Sequence, residues 1–126
     1  MAKVLIVEDE PITAMDMAVL MEDWGHEFLE PAITGTEAVR RARAEKPDII
    51  LMDINLPGEM DGIKAAEEIR KTLDVPIIFL TGYLAEGIRE LINLPGKFDI
   101  VSKPFDYDEL REKMESLLDA DKDKIL

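Results

Sequence analysis

The stretch Pro-Asp-Ile-Ile-Leu-Met-Asp at residues 47–53 joins a proline, four consecutive apolar side chains and a closing carboxylate. An unbroken apolar run of this length is typical of a strand covered on both faces, as in a parallel sheet. Similar runs lie on either side of it in the chain, Val-Leu-Ile-Val at 4–7 and Ile-Ile-Phe-Leu at 77–80. The three runs therefore predict the centre of a parallel sheet.

Weaker strand patterns and helical patterns fill the chain between these runs. Residues 98–101 predict a further strand, which Asp99 interrupts, and residues 27–32 predict an edge strand. Helical patterns cover residues 11–24, 35–45, 62–73, 84–93 and 107–118. Strands and helices thus alternate, and crossovers between parallel strands are right-handed. We therefore expect an α/β fold, a doubly wound five-stranded parallel sheet with helices on both faces.

The helical segments carry start signals and apolar stripes. Thr34, Asp61 and Asp106 stand where N-caps are expected, and Thr34 with Glu37 has the spacing of a capping box. The first helix carries apolar side chains at Ile12, Met15 and Val19. The last helix places four apolar side chains on one face: Tyr107, Leu110, Met114 and Leu117. Such spacing is typical of amphipathic helices that pack on a sheet.

Length, charge and composition limit the possible functions. The chain has 126 residues, which we divide into one domain at 1–118 and a charged C-terminal tail at 119–126. The net charge of −13 argues against nucleic acid or an anionic membrane as direct partner, and suits divalent cations or basic protein faces. With no cysteine and a single histidine, thiolate and multi-histidine metal sites are excluded. Neither a signal peptide nor a membrane-length apolar run is present, so we expect a cytoplasmic protein.

Reactive side chains follow the predicted strands at the ends where open α/β sheets bind their ligands. Glu8 and Asp9 follow the first strand, Asp53 the third, Thr81 the fourth and Lys103 the fifth. Three close carboxylates repel one another unless a cation joins them, and Mg²⁺ prefers such oxygen ligands. A hydroxyl and an ammonium beside a nucleophilic aspartate are the usual parts of a phosphoryl-transfer site.

Each of these residues alone has a simpler explanation. Acidic residues at strand ends are often helix caps, Asp53 could be a turn residue, and Lys103 could be a surface lysine. Their joint placement at one edge of one predicted sheet favours a shared site.

Four motifs in order make the chain resemble the receiver domain of two-component response regulators. They are Val-Leu-Ile-Val-Glu-Asp-Glu-Pro (4–11), Pro-Asp-Ile-Ile-Leu-Met-Asp-Ile-Asn-Leu-Pro-Gly-Glu-Met-Asp-Gly (47–62), Pro-Ile-Ile-Phe-Leu-Thr-Gly-Tyr (76–83) and Ser-Lys-Pro-Phe (102–105). The resemblance runs from Lys3 to about Leu118. It implies a flavodoxin-like fold with strand order 2-1-3-4-5.

The resemblance also implies roles for the residues of the site. Asp53 would be the phosphoacceptor, served by a sensor histidine kinase or a phosphotransfer protein. Glu8, Asp9, Asp53 and the backbone carbonyl of Asn55 would hold Mg²⁺, with Asp9 the more direct ligand and Glu8 acting directly or through water.

Three further positions follow from the same resemblance. Thr81 would be the switch hydroxyl, Lys103 would contact the phosphoryl group, and the Lys103–Pro104 peptide bond would be cis.

The sequence departs from the family at the positions that carry its output. Ile100 stands where the family usually has an aromatic residue that turns inward on activation. The fourth-strand motif is similar to the Phe-x-Thr-Gly-Tyr signature of a subset of receivers, which places Tyr83 beside Thr81. The loop from Asp53 to Gly62 is one residue longer than the commonest form of the family, through Gly58 and Glu59. We hypothesise that Tyr83 and residues 82–96 carry the conformational change.

We therefore expect a phosphorylation-dependent switch, acting as a stand-alone receiver through protein contacts and without an external turnover substrate. One alternative is an interaction module that is never phosphorylated. Another is a phosphatase that uses an aspartyl-phosphate intermediate. Such an enzyme usually needs an acid two residues after its nucleophile, and here that residue is Asn55.

Overall fold

The apolar runs form one parallel sheet in the computed structural model, which describes residues 2–82 and 85–123. Its strands are β1 (Lys3–Val7), β2 (Glu27–Phe28), β3 (Ile49–Asp53), β4 (Ile77–Thr81) and β5 (Phe98–Ser102). They lie in the order β2-β1-β3-β4-β5, and every neighbouring pair is parallel. The predicted fold class and strand order are confirmed.

Five helices alternate with the strands: α1 (Pro11–Asp23), α2 (Gly35–Glu45), α3 (Gly62–Arg70), α4 (Ala85–Arg89) and α5 (Tyr107–Asp123). The side chains of Thr34 and Asp61 accept main-chain N–H bonds at the starts of α2 and α3, as their capping signals predict. Asp106 does the same at the start of α5. Within the described ranges, no helix is both long and apolar enough to cross a membrane.

Four helix ends differ from the sequence prediction, and the smallest difference is at α1, which ends one residue early at Asp23. α3 ends at Arg70 and α4 at Arg89, because both give way to tighter turns in which an N–H bonds the carbonyl three residues earlier. α5 continues past the predicted end at Leu118 as far as Asp123. Residues 119–123 contain no glycine or proline to break the helix.

The sheet has an apolar core on each face, because successive strand residues point to opposite sides. In β1, Leu5 and Val7 pack towards α2 and α3, whereas Val4 and Ile6 pack towards α1 and α5. The same alternation runs through β3 and β4, whose residues are all buried. The uninterrupted apolar runs thus reflect two cores that share one sheet.

α1 turns a different face to the core from the one its most apolar residues suggest. Ile12, Met15 and Val19 are 76%, 67% and 58% exposed, and α1 instead buries Ala14, Met17 and Met21. Apolar residues surround this helix, so periodicity alone could not choose between its faces. Met17 and Met21 pack in one core cluster with residues of β1 and β3, where flexible methionine side chains can fill irregular gaps.

The edge strand is shorter than predicted, and one residue of the predicted apolar face of α5 is exposed. The edge strand covers only Glu27–Phe28, with one further bridge between Val7 and Ala32, because Pro31 cannot donate to the ladder. In α5, Leu110 and Met114 are buried as predicted, but Tyr107 at the first turn is 53% exposed.

α3 begins directly against the end of β3, and only glycine fits there. A Cβ on Gly62 would lie 2.1 Å from the Asp53 carbonyl oxygen and 2.8 Å from the Ile54 Cα. These contacts are main-chain atoms and cannot yield easily. Gly62 therefore fixes the distance between α3 and the strand that carries Asp53.

Gly62→Ala should destabilise the protein by about 1–3 kcal/mol, because the added methyl overpacks against backbone. Gly87→Ala is the matched control, since Gly87 is helical and nothing lies within 4 Å of its added Cβ. That change should stabilise the fold by about 0.5–1 kcal/mol. Urea unfolding measures both, and equal effects of the two substitutions would contradict the packing argument.

Candidate functional site

The ends of four strands bring the predicted site residues to one edge of the sheet. Glu8 and Asp9 follow β1, Asp53 closes β3, Thr81 closes β4 and Lys103 follows β5. Glu8, Asp53 and Thr81 are buried, whereas Asp9 is exposed. The site thus has buried carboxylates at its base and is open to solvent beside Asp9.

The three carboxylates form one cluster. A carboxylate oxygen from each of Glu8, Asp9 and Asp53 lies within 4.8 Å of the others. An all-oxygen, multiply negative donor set of this kind fits a hard divalent cation such as Mg²⁺ and would suit a soft metal poorly. The residues present therefore fit the cation that the sequence predicts.

Lys103 lies inside this cluster. Its Nζ is 3.1 Å from Oε2 of Glu8 and 3.1 Å from Oδ2 of Asp53. The contact with Glu8 joins residues 95 positions apart, and sequence reasoning missed it because no local pattern reports such a pair. The ammonium partly neutralises two buried carboxylates that would otherwise repel each other.

The two buried carboxylates are held in the same way. The other oxygen of Glu8 accepts the Glu10 N–H at 3.2 Å, and the other oxygen of Asp53 accepts the Asn55 N–H at 3.0 Å. Each carboxylate is therefore fixed by a backbone donor two residues on and by Lys103. Because an ionised carboxylate has about four acceptor positions, both keep capacity for a further ligand.

The electrostatics of the site follow from burial and from these contacts. Burial, and then the nearby charge of Asp53, raise the pKa of Glu8 above its usual value. Burial works to lower the pKa of Lys103, but its hydrogen bonds to Glu8 and Asp53 outweigh that effect and the pKa is raised. Lys103 is therefore firmly protonated at neutral pH.

The backbone around Lys103 is tied to β4. The Lys103 N–H donates to the carbonyl of Thr81 at 2.7 Å, and Thr81 is paired with Ser102 in the sheet. The Lys103–Pro104 peptide bond is cis, as the resemblance implies. Thr81 and Lys103 are thus neighbours at the floor of the site, although they stand on different strands.

Of the two residues discussed for the conformational change, Ile100 and Tyr83, the structure describes only Ile100. Ile100 is fully buried, in the same core cluster as Phe79. It packs as an ordinary core side chain. Tyr83 lies outside the described residues, so its suggested role stays a prediction.

The sequence analysis did not predict the exposed apolar surface of α1 beside the site. Ile12, Met15 and Val19 form an exposed apolar stripe along α1. A cavity of about 340 Å³ lies between α1 and the β2 edge and is lined by Glu8, Asp9, Pro11, Ala14, Met15, Ala18, Phe28, Pro31 and Ile33. A second, of about 430 Å³, lies on the other side of α1 and reaches Lys103. The acidic site therefore continues into apolar surface on both sides of α1.

Comparison with known proteins gives the same assignment throughout the chain. Residues 4–115 match the family described as Response regulator receiver domain. The chain is 44% identical over 104 residues to the Phyllosphere-induced regulator PhyR of Methylorubrum extorquens, covering 82% of this chain but only 38% of that regulator. It is 34% identical over 121 residues to Protein PilH of Pseudomonas aeruginosa, covering 94% of this chain and 98% of PilH.

A solved receiver-domain structure shares this fold. The crystal structure of the receiver domain of sensor histidine kinase PA1611 from Pseudomonas aeruginosa PAO1 superposes with a TM-score of 0.80 at 32% identity, covering 93% of this chain and 97% of that one. That structure has a magnesium ion coordinated in its active site cleft. With the family match over residues 4–115 and the shared fold, this chain belongs to the response regulator receiver domain family.

Proposed function

We propose that Asp53 accepts a phosphoryl group and that the chain is a phosphorylation-dependent switch. The observation that carries the proposal is the placement of Asp53. Its carboxylate is buried at the end of β3, where one oxygen accepts a hydrogen bond from the Asn55 N–H and the other accepts one from Lys103 Nζ. Among the three clustered carboxylates, it alone lies on the central strand. Its hydrogen bonds hold it in one orientation, which favours attack on an incoming phosphorus atom.

The reaction proposed is a direct transfer. A carboxylate oxygen of Asp53 attacks the phosphorus of a phosphohistidine on a sensor kinase or a phosphotransfer protein. The P–N bond breaks, its electron pair returns to the imidazole nitrogen, and an acyl phosphate forms on Asp53. Lys103 is already in contact with the Asp53 carboxylate, so its ammonium stands where negative phosphoryl oxygens arrive.

Glu8, Asp9 and Asp53 would hold Mg²⁺, with the backbone carbonyl of Asn55 as a further ligand. The cluster of carboxylate oxygens within 4.8 Å supports this assignment, as does the magnesium in the PA1611 receiver domain. When bound, Mg²⁺ supplies positive charge that offsets the charge of the phosphoryl oxygens. Asp9, the exposed member, is positioned to meet the incoming cation first.

The switch would act through Thr81. Its hydroxyl stands at the end of β4, next to the strand that carries Asp53, and it is 1% exposed. A phosphoryl group on Asp53 would carry three strong acceptor oxygens, which this hydroxyl can approach as a hydrogen-bond donor. The protein then shifts between two arrangements, and the free energy comes from contacts made in only one of them. The output is a change in protein contacts rather than turnover of a substrate.

The phosphodonor would dock on α1. The stripe of Ile12, Met15 and Val19 is exposed and begins beside the acidic site, and its Met15 lines the apolar cavity that Asp9 also lines. With a net charge of −13 on the chain, the fitting partner has an apolar helical face with basic residues around it. Such a partner can bring its phosphohistidine to Asp53 while its apolar face covers the stripe.

Acetyl phosphate with Mg²⁺ should add one phosphoryl group to the wild type and none to Asp53→Asn, because the amide is not a nucleophile. Asp23→Asn is the matched control, since Asp23 is an exposed carboxylate at the end of α1, away from the strand ends. Intact-protein mass spectrometry reads the result. Labelling of Asp53→Asn to the wild-type extent would contradict the proposal and favour another acceptor, and no labelling of the wild type would favour an interaction module.

Lys103→Met should lower stability without metal by about 1–3 kcal/mol, because it leaves Glu8 and Asp53 facing each other without a cation. Millimolar Mg²⁺ should then raise the melting temperature of this variant more than that of the wild type, since binding to the native state stabilises it. Lys71→Met is the control, because Lys71 pairs with Glu68 on an exposed helix surface. If Asp9→Asn responds to Mg²⁺ as strongly as the wild type, the metal assignment is wrong.

Met15→Gln should slow phosphotransfer from a histidine kinase that serves the wild type by about fivefold or more, as expected for an apolar contact at an interface centre. Phosphorylation by acetyl phosphate should be unchanged, because that donor needs no docking surface. Leu91→Gln is the matched control, since Leu91 is also exposed, at 69%, but lies outside α1. Equal slowing by both substitutions, or slowing with acetyl phosphate, would argue against docking on α1.

A further inference from the structure

The helix α4 cannot be held by its own hydrogen bonds. It contains five residues, Ala85–Arg89, with Gly87 at its centre. An isolated helix of this length does not form in water, and a central glycine weakens it further. Its position therefore depends on contacts with the rest of the fold. The apolar part of these contacts comes from Ile88 and, just beyond the helix, Ile92 and Leu94.

The return from this segment into β5 is fixed by Arg70 at the end of α3. Its Nε donates to the carbonyl of Val75 at 2.8 Å, and its two Nη atoms donate to the carbonyls of Pro95 and Lys97. Between these two, Gly96 has φ +93°, and a Cβ there would lie 2.4 Å from Arg70 Nη1. One planar guanidinium thus ties two loops together, which makes this end of the segment a fixed point.

The helix itself is tied to β5 by Asp99. Arg89 Nη2 lies 3.0 Å from Asp99 Oδ1, and the Arg89 guanidinium also stands over the Phe98 ring at 5.6 Å. Lys113 of α5 reaches the same Asp99 oxygen at 3.5 Å. Asp99 is therefore a junction at which α4, β5 and α5 meet through one carboxylate.

The same junction covers the open edge of the sheet. Lys97 and Lys103 direct main-chain bonds towards β4, so the alternate residue Ile100 directs its own away from the sheet. The Ile100 N–H donates to Asp99 Oδ1 at 2.8 Å, and the Ile100 carbonyl accepts from Lys113 Nζ at 2.6 Å. Both main-chain groups of Ile100 that point away from β4 are thus satisfied by side chains, which discourages edge-to-edge pairing.

We propose that Arg89, Asp99 and Lys113 form a latch that holds α4 against β5 in the unphosphorylated protein and opposes its movement after phosphorylation. The switching part rests on the proposed function. Thr81 and Gly82 connect β4 to this segment, so a shift of Thr81 acts on one end while Arg70 fixes the other. Arg89 lies between these ends, and its ion pair is half exposed and therefore weak enough to open.

The latch lies beside Ile100, the position at which the family usually has an aromatic residue. Ile100 is buried and has no polar group in its side chain, so it cannot report a change of state by a hydrogen bond. Its neighbour Asp99 can, because its carboxylate contacts α4 and α5 at the same time. The polar link between the segment and β5 thus lies one residue from the usual position.

Amide hydrogen exchange of the unphosphorylated protein tests the holding role. Arg89→Gln and Asp99→Asn should each speed exchange at residues 87–92 by about two- to fivefold, the range of an exposed ion pair, and the double variant should add little. Arg111→Gln is the matched control, since Arg111 pairs with Glu115 at 3.2 Å and stands over the Trp24 ring at 5.6 Å. Unchanged exchange in both latch variants, with β1 and β3 still protected, would overturn the proposal.

Binding of beryllium fluoride with Mg²⁺, a mimic of the phosphoryl group on a carboxylate, tests the opposing role. By linkage, loss of a contact that favours the unphosphorylated arrangement should raise the apparent affinity by about two- to fivefold in both latch variants and leave Arg111→Gln unchanged. Faster exchange with unchanged affinity would make the latch a static brace and overturn the switching part. If the wild type itself binds no beryllium fluoride, the proposed function fails, while the exchange experiment still decides whether the latch holds α4.

Discussion

The ammonium of Lys103 between Glu8 and Asp53 is the contact on which the rest of the site depends. Its two contacts, each 3.1 Å long, join the ends of β1, β3 and β5 through side chains. Two carboxylates buried this close repel each other, and the pKa of Glu8 is raised first by its burial and then by the charge of Asp53. The same charge distribution fits the proposed binding of Mg²⁺ and of a phosphoryl group.

The fold supplies the rigid frame around this charge. Both faces of β3 and β4 are covered, so the strand ends cannot move apart without exposing apolar side chains. Gly62 brings α3 directly against the carbonyl of Asp53, and Lys103 is tied through its own N–H to Thr81. The site can therefore hold repelling charges because its support is packed. In the proposed switch, the segments that move are therefore those that are less tightly packed.

α4 is the least self-sufficient of those parts. Its buried side chains hold it to the sheet, and the stretch from Ala85 to Lys97 that contains it has two polar anchors of unequal strength. Arg70 makes three hydrogen bonds to main-chain carbonyls, whereas Arg89 makes one half-exposed ion pair. A segment fixed firmly at one end and weakly in the middle can change position at low free-energy cost, as a switch requires.

The sequence by itself determined the strands, their parallel arrangement and the set of groups at the carboxyl ends, because the apolar runs and the residues that follow them are local patterns. Family resemblance added the strand order and the cis bond before Pro104. Only the tertiary structure decided that Ile12, Met15 and Val19 face outward, because α1 is apolar on several sides and the space over the sheet admits Ala14, Met17 and Met21. Likewise, the contacts of Lys103 with Glu8 and of Asp99 with Arg89 and Lys113 depend on how distant elements pack, which no local pattern records.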